Sequence, residues 1–222
     1  MKAIILAGGR GKRLRPITDY VPKPLIPIKN IPIIEWQIKY LKKAGISEII
    51  ICSGYKSDMI ENYLNNKKLG IKITFSIENK PLGTGGAIKQ AGKKIIEDSF
   101  LVINGDIITN IDLKKMFKKE NSIASIQLKS KYGILQTDES KIIKFDEKKE
   151  INNVWMNAGI YHLQKQILKE LPKVGDIEKG VFPDYAKKGK INSIKFTNSK
   201  WYSIDSFKDM EECSSNIEKI IK

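Results

Sequence analysis

The sequence is poor in the side chains that form disulfide bonds, bind transition metals and shuttle protons. Its 222 residues contain two cysteines, Cys52 within a predicted strand and Cys213 near the end. Two cysteines exclude a disulfide framework and a cysteine-rich metal cluster, which favours a reducing cytoplasm as the compartment. His162 is the only histidine, so catalysis by several histidines is excluded.

Long apolar runs are also missing, and none approaches the roughly 20 residues of a membrane helix. The N-terminal run, 3–7, is too short for a signal peptide and is followed by glycines. Internal repeats and low-complexity linkers are absent from the sequence as well. A hydrophobic content of 41% and a charged content of 29% are typical of a soluble globular protein, and the length suits one large or two small domains.

The net charge is +15, from 40 Lys and Arg against 25 Asp and Glu. Such a charge attracts nucleic acids, acidic membranes or phosphorylated small molecules. The lysines are scattered in pairs on predicted polar helix faces, which favours a solvated surface, and the aromatic pattern of an RNA-recognition sheet is missing. We therefore expect no nucleic-acid and no membrane partner, and the sequence leaves a homo-oligomer open.

Strands and helices alternate in the first half of the chain, 1–110. The pattern predicts strands at 3–7, 48–53, 72–77 and 100–103, and helices at 31–44, 57–64 and 87–96. Such alternation indicates an α/β fold with a mostly parallel sheet covered on both faces. Ligands bind such sheets at the carboxyl ends of the strands, where we expect the loops 8–24, 78–87 and 104–107.

The second half, 111–222, is less regular and looks like a segment that covers a second substrate. Its pattern predicts short antiparallel strands at 123–128, 133–137 and 141–145, and further strands at 156–163, 191–196 and 201–204. Helices are predicted through 171, within 174–188 and over 207–221.

The loop after the first strand combines glycines with cations. Gly8, Gly9 and Gly11 alternate with Arg10, Lys12, Arg13 and Arg15, and Lys23 follows. Glycines let backbone N–H groups approach an anion, so this loop is predicted to hold a polyphosphate. It is neither a G-x-G-x-x-G fingerprint nor a P-loop, because no G-K-[ST] closes it. Taken alone, it could also be a purely structural turn.

Two carboxylates follow strands and are candidate metal ligands. Asp106 comes directly after Gly105 at the end of a buried strand, where it suits Mg²⁺ or a simple turn. Asp205 stands between a strand and a helix, as a second ligand or as the helix N-cap.

Two further segments suit nucleotides and sugar phosphates. Three glycines within 83–86, before a helix, permit flat approach to a base or a sugar, or form a flexible turn. A lysine and an amide, Lys148 and Asn157, could hold the phosphate and hydroxyls of a sugar phosphate. Lys148 also fits a solvated charged run, 147–150.

In this order, the motifs resemble those of the sugar-1-phosphate nucleotidylyltransferases. The family's L-A-G-G-x-G-x-R-L-x-P-x-T and P-K-P-L-x-P are matched at 6–18 and 22–27, with Lys12 where Thr or Ser is usual. Further matches are P-L-G-T-G-G-A at 81–87, N-G-D at 104–106, E-K at 147–148 and N-A-G-I-Y at 157–161. The chain is similar to short single-domain members, such as heptose- and mannose-1-phosphate guanylyltransferases and N-acetylmuramate-1-phosphate uridylyltransferases. The chain lacks room for the β-helix domain of longer members.

The resemblance implies a Rossmann-like three-layer α/β/α fold with a mixed, mostly parallel sheet, and one catalytic domain over 1–222. It implies transfer of a nucleotidyl group from an NTP to a sugar 1-phosphate, with Mg²⁺ as cofactor and pyrophosphate as the leaving group. The nucleophile is a phosphate oxygen that is already ionised, so no general base is needed. Catalysis then depends on positioning and charge neutralisation.

By the same resemblance, Arg13 holds the departing pyrophosphate, Lys23 the reacting phosphates, and Asp106 with Asp205 the Mg²⁺. The implied substrate-binding residues are Leu6, Ala7, Gly8, Gly9, Gly11, Glu78, Pro81, Leu82, Gly83, Thr84, Gly85, Gly105, Glu147, Lys148, Asn157 and Gly159. The chain departs from the family at Lys149, where Pro is usual, and at Ser203, on which the common Asp falls.

Glu78 occupies the place where some relatives have a base-contacting Gln. A carboxylate accepts two hydrogen bonds and suits the adjacent N1–H and N2–H₂ groups of guanine, which favours GTP. A member that uses UTP, dTTP or CTP is the alternative. A non-catalytic sugar-nucleotide sensor would belong to another class, and the retained Arg13, Lys23 and Asp106 argue against it.

Overall fold

The computed structural model describes residues 1–130, 132–147 and 149–221, and its strands follow the predicted pattern closely. In chain order, the strands are β1 (Lys2–Ala7), β2 (Pro27–Ile28), β3 (Ile31–Pro32), β4 (Glu48–Ser53), β5 (Lys72–Ile77), β6 (Ser99–Asn104), β7 (Ile107–Thr109), β8 (Ser122–Lys129), β9 (Ile134–Asp138), β10 (Lys141–Asp146), β11 (Glu150–Gln164), β12 (Asn192–Phe196) and β13 (Trp201–Ser203).

The helices vary in length from one turn to three. They are α1 (Ile17–Tyr20), α2 (Ile33–Lys43), α3 (Ser57–Asn65), α4 (Gly83–Gly92), α5 (Leu113–Met116), α6 (Val181–Lys187), α7 (Phe207–Asn216) and α8 (Glu218–Ile221). Three 3₁₀ segments lie at Lys12–Leu14, Lys23–Leu25 and Lys165–Lys169. In the described ranges, none of the helices is long and apolar enough to cross a membrane.

Seven strands form one mixed sheet in the order β12-β8-β11-β6-β1-β4-β5. The strands β6, β1, β4 and β5 are mutually parallel, so their carboxyl ends meet at one edge. Strand β11 runs antiparallel to both β6 and β8, and β12 is parallel to β8. The predicted fold class, α/β with a mixed and mostly parallel sheet, is confirmed.

Isoleucine-rich strands bury both faces of this sheet. On one face, Ile5 and Ile51 pack with residues of α2 and α3 such as Ile38 and Ile60. On the other face, Ile4 and Ile50 pack with residues of α4 and of the second half of the chain. Because side chains alternate along a strand, a continuous apolar run supplies two cores at once. The result is the predicted three-layer arrangement.

Three predicted elements differ from the structure. Helix α4 begins at Gly83 instead of 87 and ends at Gly92 instead of 96. The strand predicted at 156–163 is the last part of the longer β11, whose pairing with β8 is irregular between Asn157 and Tyr161. The closing helix is divided into α7 and α8. In addition, β8, β11 and β12 join the central sheet, whereas β9 and β10 form a separate hairpin.

Candidate active site

A cavity of about 470 Å³ opens at the carboxyl edge of the parallel strands, where the sequence predicts binding. The three predicted loops come together there, because they follow β1, β6 and β5, which are parallel strands that end at this edge. Its lining residues are Leu6, Ala7, Gly8, Gly9, Gly11, Lys12, Arg13, Leu14, Lys23, Pro24, Glu78, Pro81, Gly83, Thr84, Ala87, Asn104, Gly105, Asp106, Asp176 and Asp205.

Lys23 brings the two predicted metal ligands together. Its Nζ lies 2.7 Å from Asp106 Oδ2 and 2.8 Å from Asp205 Oδ1. Arg13 also contacts Asp205 Oδ1, at 2.8 Å. The side chain of Lys23 is 13% exposed and that of Arg13 is 74% exposed. Arg13 is therefore open to an incoming phosphate, while Lys23 lies inside the cluster.

The structure excludes one of the two sequence interpretations of Asp205, the helix N-cap. Ser206 is the N-cap of α7, and its hydroxyl oxygen accepts a hydrogen bond from the N–H of Asp209. The carboxylate of Asp205 is thus left to face the cluster, where the hydroxyl of Ser203 donates to its Oδ2 at 3.0 Å. Burial raises the pKa of Asp205, but the hydrogen bond and charge of Lys23 outweigh it, so the pKa lies below its ordinary value.

The donor set at this cluster fits Mg²⁺. Magnesium is usually bound by one or two carboxylates together with substrate phosphates and water. Asp106 and Asp205 supply two carboxylates that converge on one cationic position, held in this structure by the ammonium of Lys23. Within the described ranges, no group of three or more acidic, His or Cys side chains could hold a metal. The remaining ligands would therefore have to come from phosphates and water.

The glycine loop has the backbone shape that its sequence predicts. Gly11 has φ +59, in the left-handed region, and a Cβ there would lie 2.9 Å from the side chain of Thr18. The hydroxyl of Thr18 donates to Gly11 O at 3.0 Å and fixes the turn. A Cβ at Gly9, by contrast, would meet no atom within 4 Å. Gly9 leaves the backbone open to the cavity, as a polyphosphate loop requires.

Gly105 sets the position of Asp106 against β1. Its N–H donates to Leu6 O at 2.9 Å, and a Cβ at Gly105 would collide with that carbonyl oxygen. From behind, the side-chain amide of Gln37 donates to Asn104 O at 2.7 Å and to Ile107 O at 3.0 Å. Gln37 is buried on α2, and the sequence reasoning missed its role in holding this loop.

We expect Gly105→Ala to destabilise the fold by about 2–4 kcal/mol, because backbone must move to admit the methyl group. Gly9→Ala is the matched control, since its methyl group enters open space, and its free energy of unfolding should change by less than about 1 kcal/mol. Urea denaturation of the two variants measures both values. Equal stability of the variants would contradict this account of Gly105.

Glu78 lies on the wall of the cavity next to the glycine loop. Its Oε2 accepts a hydrogen bond from the N–H of Leu82 at 3.1 Å. A Cβ at Gly8 would lie 2.6 Å from its Oε1, so Gly8 makes room for this carboxylate. Burial raises the pKa of Glu78 above its ordinary value, although the Leu82 N–H opposes the shift. Glu78 is thus positioned as part of the cavity wall by Gly8 and Leu82.

The glycines of α4 serve helix packing more than the cavity. Gly85 and Gly86 donate backbone hydrogen bonds to Gly175 O at 2.9 and 3.2 Å. A Cβ at Gly86 would lie 2.6 Å from Lys173 O. Gly83 lines the cavity with φ +73, whereas Leu82 and Gly85 are absent from its described lining. The sequence predicted that Gly85 lets a ligand lie flat against the backbone. In the structure, Gly85 instead contacts the second half of the chain.

The predicted sugar-phosphate residues lie outside the described lining of the cavity. Asn157 donates to the hydroxyl of Tyr161 at 2.9 Å and accepts from the N–H of Gly159 at 2.8 Å. Gly159 has φ +69 and packs against the side chain of Asn104. Glu147 follows β10, at the end of the separate hairpin, and Lys148 lies outside the described residues.

Several lining residues were missed from the sequence. Asn104 belongs to the same N-G-D motif as the predicted Asp106, and that motif could have indicated it. Asp176 comes from the irregular stretch before α6, and no spacing or motif marks it. Only the folding of the segment 172–178 against α4 brings this carboxylate to the cavity.

This arrangement of cations and carboxylates around a polyphosphate loop is that of an enzyme that handles nucleoside triphosphates. Residues 2–220 match the family model described as nucleotidyl transferase, and the chain belongs to that family. Within it, the chain is a member of the sugar-1-phosphate nucleotidylyltransferases, as the sequence predicts.

The relatives support this placement. The chain is 43% identical over 177 residues to the D-glycero-alpha-D-manno-heptose 1-phosphate guanylyltransferase of Aneurinibacillus thermoaerophilus, covering 76% of this chain and 77% of that protein. It is 36% identical over 227 residues to mannose-1-phosphate guanyltransferase beta-A of Xenopus laevis, covering 94% of this chain and 62% of that protein.

A solved structure also matches closely. The crystal structure of HddC from Yersinia pseudotuberculosis has a TM-score of 0.79 and 30% identity, covering 97% of this chain and 99% of that chain. The same protein complexed with GMP-PN matches with a TM-score of 0.74 and 30% identity over the same shares.

Proposed function

We propose that this enzyme transfers a guanylyl group from GTP to a sugar 1-phosphate, and that the acceptor is a heptose or mannose 1-phosphate. The proposal depends on one observation: Arg13, Lys23, Asp106 and Asp205 converge beside the glycine loop, in a cavity that Glu78 also lines. The names of the two sequence relatives given above, a guanylyltransferase and a guanyltransferase, support the choice of base and acceptor.

In the proposed reaction, an ionised oxygen of the sugar phosphate attacks the α-phosphorus of GTP. The bond between the α-phosphorus and the bridging oxygen breaks, and pyrophosphate leaves with that electron pair. No proton has to move, which agrees with a cavity whose described lining contains no histidine. Catalysis rests on in-line positioning and on charge neutralisation of the phosphates.

The four converging side chains each have a role in this reaction. Arg13, exposed at the mouth, binds the departing pyrophosphate, and Lys23 binds the reacting phosphates. Asp106 and Asp205 would hold Mg²⁺, which would supply neutralisation of phosphate charge and polarisation of the reacting phosphorus. Lys23 pairs with both carboxylates in this structure, and its ammonium would become available to the phosphates if a metal took its place between them.

We also infer that the two halves of one catalytic domain bind different substrates. Residues 1–110 bind the nucleotide, and residues 111–222 bind the sugar phosphate. The glycine loop, Glu78 and Asp106 belong to the first half. Support for the second half comes from Asp176, which lines the cavity, and from Gly159, which packs against the side chain of Asn104 in that lining.

Pyrophosphate release from a matrix of NTPs and sugar 1-phosphates tests the proposal. GTP should be turned over faster than UTP, dTTP, CTP or ATP at equal concentration, with heptose or mannose 1-phosphate as the acceptor. A clear preference for UTP, dTTP or CTP would reject the choice of base and leave the reaction class standing. Lack of turnover with every pair would favour a non-catalytic sensor.

The exchange Glu78→Gln tests how the base is selected. An ionised carboxylate accepts from both N1–H and N2–H₂ of guanine, whereas an amide presents one acceptor and one donor group. We expect kcat/KM for GTP to fall roughly 10- to 100-fold, the loss of one charge-assisted hydrogen bond. The value for UTP should stay within a few fold.

Lys80→Gln is the matched control for this exchange. Lys80 lies in the same loop, outside the described lining of the cavity. Its kcat/KM should be close to that of the wild type with both nucleotides. An equal loss for GTP and UTP in Glu78→Gln would mean that the side chain shapes the loop and does not read the base.

A further inference from the structure

Asp176 brings a carboxylate into the cavity from the second half of the chain, and the reaction proposed above gives it no role. It belongs to the segment 172–178, between the 3₁₀ segment after β11 and helix α6. Its Oδ1 accepts from the N–H of Thr84 at 3.4 Å, and its Oδ2 lies 2.8 Å from Lys179 Nζ. The side chain is 35% exposed, so part of the carboxylate still faces the cavity.

The backbone on both sides of Asp176 is fixed to the start of α4. Gly175 donates to Leu82 O at 2.8 Å, and Gly175 O accepts from Gly85 at 2.9 Å. On the other side, Ile177 donates to Thr84 Oγ1 at 3.0 Å. Hydrogen bonds before and after the residue leave its carboxylate little freedom to move. Such a preorganised acceptor binds a ligand without first losing conformational entropy.

Glu178 attaches the same segment to the central sheet. Its Oε2 accepts a hydrogen bond from the hydroxyl of Thr84, and its Oε1 accepts from the hydroxyl of Tyr161 at 3.0 Å. Tyr161 is fully buried in β11. The chain of contacts from Thr84 through Glu178 to Tyr161 therefore anchors the segment to the sheet as well as to α4.

The charge at Asp176 selects the kind of group that it can bind. The hydrogen bond from Lys179 lowers the pKa of Asp176, despite partial burial, and keeps the side chain ionised. A carboxylate offers about four acceptor positions, of which Thr84 and Lys179 use two. An anion repels phosphates, which the cations Arg13 and Lys23 attract. The remaining acceptor positions suit neutral hydroxyl donors.

We propose that Asp176 is a specificity-determining residue that accepts hydrogen bonds from the hydroxyl groups of a sugar ring in the cavity. The ring is either the ribose of the nucleotide or the acceptor sugar, since both carry hydroxyls next to their phosphates. This inference depends on the proposed function, because a nucleotide and a sugar phosphate are the ligands that it assumes.

The test compares Asp176→Asn with the wild type on matched pairs of compounds. The pairs are GTP with 2′-deoxy-GTP and 3′-deoxy-GTP, and mannose 1-phosphate with its monodeoxy analogues. Affinity is measured by calorimetry and kcat/KM by pyrophosphate release. Asn keeps the acceptor for the Thr84 N–H and removes the charge. We expect a loss of roughly 10-fold for the parent compound, and less than about 2-fold for the analogue that lacks the contacted hydroxyl.

Asp184→Asn is the matched control, because it removes the same charge from the exposed face of α6, outside the described lining of the cavity. It should bind every compound as the wild type does. If Asp176→Asn weakens binding of GTP more than that of a deoxy-GTP, the ring is the ribose. If it weakens binding of mannose 1-phosphate more than that of a deoxy analogue, the ring is the acceptor sugar. Equal losses for a parent and all its deoxy analogues, or no loss at all, would overturn the proposal.

Two further measurements distinguish a failure of the proposed reaction, or of folding, from a failure of the Asp176 proposal. Calorimetry does not require turnover, so a wild type that binds GTP without releasing pyrophosphate counts against the proposed reaction alone. Melting temperatures show whether Asp176→Asn is folded, and Asp176→Ser replaces it if it is not. With either variant, discrimination confined to the hydroxyl-bearing compounds supports the assignment, and its absence rejects it.

Discussion

Asp106→Asn should lower kcat by roughly 100- to 10,000-fold, which corresponds to the several kcal/mol that a bound metal contributes to a phosphoryl-type transition state. The amide keeps the size of the carboxylate and still accepts a hydrogen bond from Lys23 Nζ, now 2.7 Å from Asp106 Oδ2. It loses the negative charge that would bind Mg²⁺. Pyrophosphate release at increasing Mg²⁺ concentrations measures the loss and shows whether extra metal restores turnover.

The fold should survive this exchange, because Lys23 keeps its contact with Asp205 at 2.8 Å. Asp112→Asn is the matched control. Asp112 lies a few residues further along, outside the described lining of the cavity, where it caps α5 by accepting from the N–H of Lys114. Asn caps helices as well as Asp does, so this variant should keep both activity and stability. Near-normal turnover of Asp106→Asn with Mg²⁺ would reject Asp106 as a metal ligand.

The parts of this site that the sequence predicted are those set by local rules. An apolar run followed by glycines indicates a buried parallel strand and its loop, and the strand predicted at 48–53 is confirmed residue for residue. Neighbouring parallel strands then bring Gly9, Lys23 and Asp106 to one edge without further information. For these residues, pattern and topology were sufficient.

Helix α4 shows where local rules fail. Glycine has a low helix propensity, so three glycines within 83–86 predicted a loop. The structure places them in the first turn of a helix. The N–H groups of Gly85 and Gly86 donate to Gly175 O, and the missing side chains leave space for the segment 172–177. A contact more than 80 positions away in the sequence outweighs the local preference, and no pattern near the glycines reports it.

Asp176 and Asp205 show that local sequence rules also fail to assign the roles of some site residues. Asp205 follows a strand, so the sequence identified it but could not separate a ligand from a cap. Only the hydroxyl of Ser206 at the helix start excludes the cap. Asp176 lies in an irregular stretch without period or motif. Its carboxylate becomes a cavity residue through hydrogen bonds between Gly175 and α4, which only the folded chain brings together.

Lys23→Met should produce two effects at once, since Lys23 is the cation shared by two carboxylates. We expect kcat to fall roughly 100- to 1,000-fold, the cost of losing a preorganised charge at the reacting phosphates. We also expect a loss of about 2 kcal/mol in the free energy of unfolding, because Asp106 and Asp205 lose their common partner in a partly buried site. Turnover assays and urea denaturation measure the two effects.

Magnesium should reverse part of the second effect, and this separates a metal site from a simple ion pair. With Lys23 removed, the cation that still contacts this pair of carboxylates in the described part of the chain is the exposed Arg13, at Asp205. A divalent cation that binds the folded state alone raises its stability by mass action. The melting temperature of Lys23→Met should therefore rise with Mg²⁺ concentration more steeply than that of the wild type.

Lys12→Met is the matched control, because it removes an exposed cation from the same cavity. It should show little change in stability and no added response to Mg²⁺. If the melting temperature of Lys23→Met did not change with Mg²⁺ concentration, the two carboxylates would form an ion pair with Lys23 in the wild type and would not bind a metal.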